Sequence, residues 1–231
     1  MSLVFSGTTP HSPLLLEGVA KKKSDKISKT KQAIEALESD LYLSYPDIII
    51  ILSSYCGQFS NFFTLVGSDK FTSNFKKFGN LKLQDSWQGA PILANKINKE
   101  SSNPTQIIGK NELESSSSIP LHLLTSKLKN IKILPIGYSD LSTQQHYKFG
   151  KGLRKIIDQS NQRIAVLASG DMSHTLSKQA PGGFHDDGVV YDKRIKKYLQ
   201  NQQTENNLKM DENEPKVEMR IGDDEIILRG S

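Results

Sequence analysis

Asp47 is followed by Ile48, Ile49, Ile50, Ile51 and Leu52, an aliphatic run with no polar residue in it. A β-branched run without alternation suits a strand covered on both faces, as in sheets that carry helices on either side. The run is far shorter than the roughly 20 apolar residues that span a bilayer.

The rest of the chain alternates in the same spirit. Residues 3–6 predict a short first strand, and a loop with Pro10, His11 and Pro13 follows. Ile27, Ile34, Leu37 and Leu41 share one helical face, in a helix that should end before Pro46. Residues 59–66 predict another strand, and residues 87–99 a helix with Pro91 in its first turn. A short helix is expected over 119–128 and a strand over 131–136. Ser142 and Gln145 form a capping-box pattern. The helix that they open should turn Phe149, Leu153, Ile156 and Ile157 inward. Residues 163–168 predict a further buried strand, and Tyr191, Ile195, Tyr198 and Leu199 mark one more helix. This alternation predicts a single α/β domain with a mostly parallel central sheet flanked by helices. The domain should occupy residues 1–199. Residues 200–231 form a polar C-terminal segment with a small apolar patch at 226–228. The strands at 48–52, 131–136 and 163–168 should be adjacent or nearly so.

The chain has 231 residues, of which 36% are hydrophobic and 24% charged, enough for one large domain with a real core. Cys56 is the single cysteine, which excludes an intrachain disulfide and a cysteine-cluster zinc site. With no basic stretch leading into an apolar one at the start, the expected location is the cytoplasm. The net charge of +5 is mild, and Lys21, Lys22 and Lys23 lack interleaved aromatics. They predict a solvated loop, with neither nucleic acid nor a membrane as partner. Self-association stays open.

In sheets of this kind, active sites gather beyond the carboxyl ends of the strands. Three loops fit: residues 10–13, 53–57 and 169–174. In Asp171-Met172-Ser173-His174, a carboxylate three residues before a histidine can orient the ring and make His174 a general base. The alternative is a helix N-cap at Asp171 or Ser173. Pro10-His11-Ser12-Pro13 holds one imidazole in a rigid loop. That suits a metal ligand, or simply a surface turn. His185-Asp186-Asp187 follows Pro181-Gly182-Gly183 and predicts a loop over a site or a solvated turn. His122 and His146 fall on predicted helices at surface or boundary positions, and Cys56 is expected to be a buried thiol. There is no Gly-x-Gly-x-x-Gly, no phosphate-binding Walker loop and no Gly-x-Ser-x-Gly elbow.

Taken in order, several segments resemble one family. Pro10-His11-Ser12-Pro13-Leu14-Leu15-Leu16 is similar to its Pro-His-Pro-Pro-Leu-Leu start, and residues 47–54 to its strand leading into Ser-Pro-His. Ile119-Pro120-Leu121 resembles a Val-Pro-Leu that follows Asp-His-Gly. Ser169-Gly170-Asp171-Met172-Ser173-His174 resembles its Ser-Gly-Asp-Leu-Ser-His signature. Gly183-Phe184 and then Tyr191-Asp192 resemble the next loop and helix. The family is the class III extradiol ring-cleavage dioxygenases, in the form of their catalytic chain, with their Memo-like relatives. The resemblance runs from about Met1 to Leu199.

The resemblance implies a non-haem Fe(II) oxidoreductase that opens small catechol-type aromatics. Two histidines and a glutamate hold the iron and leave room for a catecholate and O2 side by side. It implies His11 as the first metal ligand, and His174 as the acid/base histidine with Asp171 in its motif. The chain departs from the pattern where Tyr55 stands at the second histidine ligand and Ser115 at a further active-site histidine. No segment like the family's late glutamate motif is found, and nothing marks Glu218 or Glu225 as the ligand. A neutral tyrosine, with a free pKa of about 10, is a poor Fe(II) ligand. Ligand counting therefore predicts weak or absent iron binding and no cleavage of simple catechols. The alternative to an enzyme is a non-catalytic binding module on the same fold; a third reading is a rearranged metal site using His11, Asp171, His174 and His185. The family reading expects His11, Tyr55 and His174 to converge in one cleft, with Ser115 at its border.

Overall fold

The computed structural model describes residues 2–19, 27–54, 59–178, 180, 182–201, 218–221 and 226–229. Lys21, Lys22, Lys23, Tyr55, Cys56 and Glu225 lie outside them. The chain divides into two compact units, Met1–Asp171 and Met172–Ser231.

The first unit is built on one sheet. Its strands are β1 (Leu3–Thr9), β2 (Ile48–Ser53), β3 (Phe63–Val66), β4 (Lys70–Phe75), β5 (Asn80–Gly89), β6 (Thr105–Ile108), β7 (Lys132–Gly137) and β8 (Ile164–Ser169). The main path runs β1-β8-β2-β7-β3-β6. The three apolar segments picked out by sequence are thus neighbours, β8-β2-β7, and all parallel. The fold is α/β with a mostly parallel sheet.

Helices α1 (Ser28–Leu43), α2 (Pro91–Glu100), α3 (Ser115–Leu124) and α4 (Thr143–Asp158) belong to this unit. The β2 run shows why both faces need cover. Ile49 and Ile51 join one cluster with Ile34 and Leu41 of α1 and Leu121 and Leu124 of α3. Ile48 and Ile50 point the other way, to Leu93 and Ile97 of α2 and Phe149, Leu153 and Ile156 of α4. Alternate residues on a strand face opposite sides, so an unbroken apolar strand requires two apolar layers. The ring of Phe63 stacks on Phe149 with centroids 4.0 Å apart. The Ser142–Gln145 capping box is formed, and the four expected residues of α4 are buried.

Some expectations shift. Residues 87–89 end β5 rather than starting a helix; α2 begins at Pro91, where a missing N–H costs nothing. The hairpin β4–β5 has no counterpart in the sequence reading. β3 begins at Phe63 and runs antiparallel to β7. β5 and β3 share one edge of β7, pairing with its start and its end respectively. α3 starts four residues before Ile119 and stops at Leu124.

Glu38 ties α1 to the loop that follows α3. Its carboxylate accepts from Ser126 Oγ at 2.5 Å and Lys127 Nζ at 2.9 Å. Burial pushes its pKa up, but these hydrogen bonds and the Lys127 charge outweigh burial and hold it below the usual carboxylate range. A depressed folded pKa means that the anion stabilises the fold above the unfolded value. That contribution fades as pH falls through the folded pKa. Glu38→Gln is expected to cost about 1–2 kcal/mol at pH 7. Urea melts of both proteins at pH 7 and in acid should show the gap closing at low pH; a gap that widens in acid contradicts the assignment.

The second unit holds α5 (Asp186–Asn201) and a hairpin of β9 (Glu218–Ile221) with β10 (Ile226–Arg229). The apolar patch at 226–228 lies in that last strand. No helix among the described residues is long and apolar enough to cross a membrane.

Candidate metal centre at the carboxyl edge of the sheet

Parallel pairing brings two distant loops together. Thr9, the last residue of β1, is in register with Ser169, the last of β8. Gly170 N donates to Thr9 O across 3.1 Å, so the two strands leave the sheet side by side. His11 and Asp171 each stand two residues beyond that pair. The His11 loop is held by prolines at 10 and 13. A short 3-10 turn, Pro13–Leu15, anchors it through buried Leu15 and Leu16.

One ring nitrogen of His11 meets the end of β8 and the other the loop beyond it. Its Nδ1 lies 3.1 Å from Ser169 Oγ, and its Nε2 lies 3.4 Å from Asp171 Oδ2. His11 N donates to Asp171 Oδ1 at 3.3 Å. The side chains are 21% and 15% exposed, so the pair is mostly shielded from solvent. Beneath them lies the first turn of α3. Ser169 Oγ donates to the carbonyl of Ser116, and Ser53 Oγ and Ser117 Oγ share a hydrogen bond of 2.7 Å. Ser116 Oγ is buried with no hydrogen-bond partner among the described residues.

These donors bear on a metal. An imidazole nitrogen and a carboxylate oxygen are the ligand types that suit Fe(II), Mn(II) or Zn(II). Among the described residues no three histidine, cysteine or carboxylate side chains cluster as a complete site. The donor pair therefore fits part of a divalent-metal shell, with positions left for solvent, substrate or further side chains.

Residues 7–228 match the model of the catalytic LigB subunit of aromatic ring-opening dioxygenase. The chain belongs to the LigB family. Protein CA_C1420 of Clostridium acetobutylicum is 27% identical over 217 residues, covering 84% of this chain and 44% of that protein. The chain thus spans less than half the length of that curated relative. The crystal structure of uncharacterized protein JW3007 from Escherichia coli K12 shares the fold. Its TM-score is 0.53 at 14% identity, over 73% of this chain and 65% of that one.

The LigB-type signature crosses the boundary between the two units. In the second unit, Ser173 N donates to Asp192 Oδ1 at 2.9 Å, and Ser173 Oγ and Thr175 Oγ1 lie 2.8 Å apart. Gly188 of α5 leaves room for this turn, since a Cβ there would overlap the hydroxyls of Ser173 and Thr175. His174 O accepts from Gly182 N at 3.3 Å. No helix begins at residues 171–175, so the N-cap alternative for Asp171 or Ser173 is set aside. Asp186 and Asp187 are not in a solvated turn: they open α5, where carboxylates favour the helix dipole. Burial, with Asp192 beside it, pushes the Tyr191 phenol up, so it stays protonated at neutral pH.

Ser115 opens α3, while its neighbours Ser116 and Ser117 make the contacts to β8 and β2. Glu218 lies in β9. His122 pairs with Asp85 at 2.7 Å, and His146 Nδ1 lies 3.0 Å from Ser142 O. Sequence reasoning missed Ser169 and Ser116 as supports of His11. The only signal for them was polar residues ending or facing apolar strands.

Proposed function

We propose that this LigB-family chain is a non-haem Fe(II) oxidoreductase of the ring-opening kind. Its substrate is a small catechol-type aromatic, and it works in the cytoplasm without nucleic acid or membrane partners. The observation that carries the reading is His11 itself. It is presented from β1 by a proline-bounded loop, backed at Nδ1 by Ser169 and flanked at Nε2 by Asp171. When bound, iron supplies a centre at which a catecholate and O2 can meet. His11 is the metal ligand, and the negative charge of Asp171 offsets the cation. His174 takes the proton released when a catechol hydroxyl becomes a catecholate.

Tyr55 and Ser115, at positions where the resemblance expects histidines, favour a second reading: a module that binds its ligand without turnover. They also imply weakly held iron, so the assay requires Fe(II) in excess. Under anaerobic loading and then air, oxygen uptake is expected with substituted catechols. Tyr55→His is expected to raise iron affinity, and His11→Ala in that background to abolish the gain. Catechol binding without oxygen uptake in either protein would support the second reading.

A further inference from the structure

A cavity of about 640 Å³ opens beside the β4–β5 hairpin, a volume that suits a small molecule. Its lining includes Gln88, in register with Lys132 at the start of β7. β7 runs parallel to β2 and β8, so this is the amino edge of the sheet, the end away from His11. The inner wall is made by Asp85 and Trp87 of β5, His122 of α3, and Thr125, Leu128 and Ile131 beyond it, all buried or half-buried. Every side-chain N–H and O–H of this wall is already used. Trp87 Nε1 donates to Thr125 Oγ1 at 2.9 Å, and Thr125 Oγ1 donates to the carbonyl of Leu121 at 2.6 Å. A carboxylate only accepts, so the 2.7 Å bond between His122 and Asp85 carries its proton on Nδ1. In the neutral ring Nε2 then holds a lone pair. Neither that nitrogen nor Asp85 Oδ1 has a hydrogen-bond partner among the described residues.

The wall therefore offers two acceptors, one of them anionic, next to the apolar surface of Trp87, Leu128 and Ile131. The His122 and Asp85 side chains are 22% and 28% exposed, so water screens the charge only in part. At the rim, Asp69 and Lys70 are exposed and offset each other in charge. A ligand that matches this wall brings N–H donors, a positive charge and an apolar body. A carboxylate or phosphate would meet Asp85 as a like charge. We propose that this cavity binds a small organic amine as its ammonium ion. The ammonium donates to Asp85 Oδ1 and His122 Nε2, and its hydrocarbon part lies against Trp87, Leu128 and Ile131. Asp85 has two roles: it supplies the charge, and it holds His122 in the accepting tautomer. The site is separate from the one at His11 and does not depend on the ring-opening reading.

The test titrates the full chain by calorimetry at mildly alkaline pH, where imidazole is neutral and an alkyl ammonium is charged. Trp87 is the only tryptophan of the chain, so its fluorescence reports on this cavity. The probes are n-hexylamine and phenethylamine, each beside the alcohol and the carboxylate of the same skeleton. Both amines should bind at one equivalent and change the Trp87 fluorescence. The alcohols should bind about tenfold more weakly, since an uncharged donor makes a hydrogen bond about half as strong, and the carboxylates should not bind. Asp85→Asn keeps the side-chain shape without the charge and should weaken both amines by about tenfold or more. His122→Leu, which removes one acceptor, should cost a smaller factor. Three results with the wild type alone overturn the proposal: no binding of either amine, equal affinity for amine and alcohol, or amine binding that leaves the Trp87 fluorescence unchanged. Wild-type amine affinity in Asp85→Asn overturns it as well.

Discussion

Ile50→Ala is expected to lower the unfolding free energy by about 3 kcal/mol, within the range of buried large-to-small changes. Ile50 is fully buried at the centre of β2. It pairs with Leu134 of β7 on one side and Val166 of β8 on the other. Its side chain belongs to the layer that contains Phe149 and Ile156. Strand neighbours fix the backbone on both sides, so the space left by truncation cannot collapse readily. A loss of this size is a large part of the roughly 5–15 kcal/mol available to a domain. Ile92→Ala is the control. Ile92 is 86% exposed on α2, and its truncation should stay within about 0.5 kcal/mol. Urea unfolding of the two variants checks the contrast; a loss below about 1 kcal/mol at Ile50 would contradict the two-layer core.

Ser169→Ala should act on stability and on metal together. Ser169 is 7% exposed and links His11 Nδ1 to the Ser116 carbonyl. Without its hydroxyl, the Ser116 carbonyl loses its donor in a buried setting, at a cost of about 1–3 kcal/mol. His11 loses the acceptor that holds its ring, and removal of such a support typically weakens metal affinity by about tenfold or more. Ser169→Thr keeps the hydroxyl and should recover most of both losses. Thermal melts and chelator competition read the two effects separately. A Ser169→Ala protein with unchanged metal affinity would show that the serine packs without orienting the imidazole.

The buried strands were legible because β2, β7 and β8 carry apolar residues that need no partner pattern to interpret. The capping box of α4 was legible for a similar reason: its signal is local, three residues apart. The β4–β5 hairpin was hidden because Phe71 and Phe75 alternate with Lys70, Thr72 and Asn74 around a buried Ser73, which dilutes the apolar signal. Trp87 belongs to the end of that hairpin, where its indole N–H donates to Thr125 Oγ1; nearness to Pro91 made it resemble a helix start. Ser115 to Ser118 are poor helix formers, and tertiary contacts to β2 and β8 sustain that turn. His11 and Ser169-Gly170-Asp171 were each visible as motifs. That these loops meet was expected from the resemblance; the particular atoms in contact were not, because they depend on the parallel register of β1 and β8, which no local pattern encodes. The carboxylate of Asp171, read in the sequence as part of the His174 motif, reaches His11.

The most direct test of the ring-opening reading is the fate of labelled oxygen. Full-length protein with excess Fe(II) would be exposed to 18O2 and a panel of substituted catechols, beside a His11→Ala control. The expected result is a ring-opened product containing both 18O atoms, formed by the wild type and absent from the control. Intact catechols throughout, or equal product from His11→Ala, would contradict it.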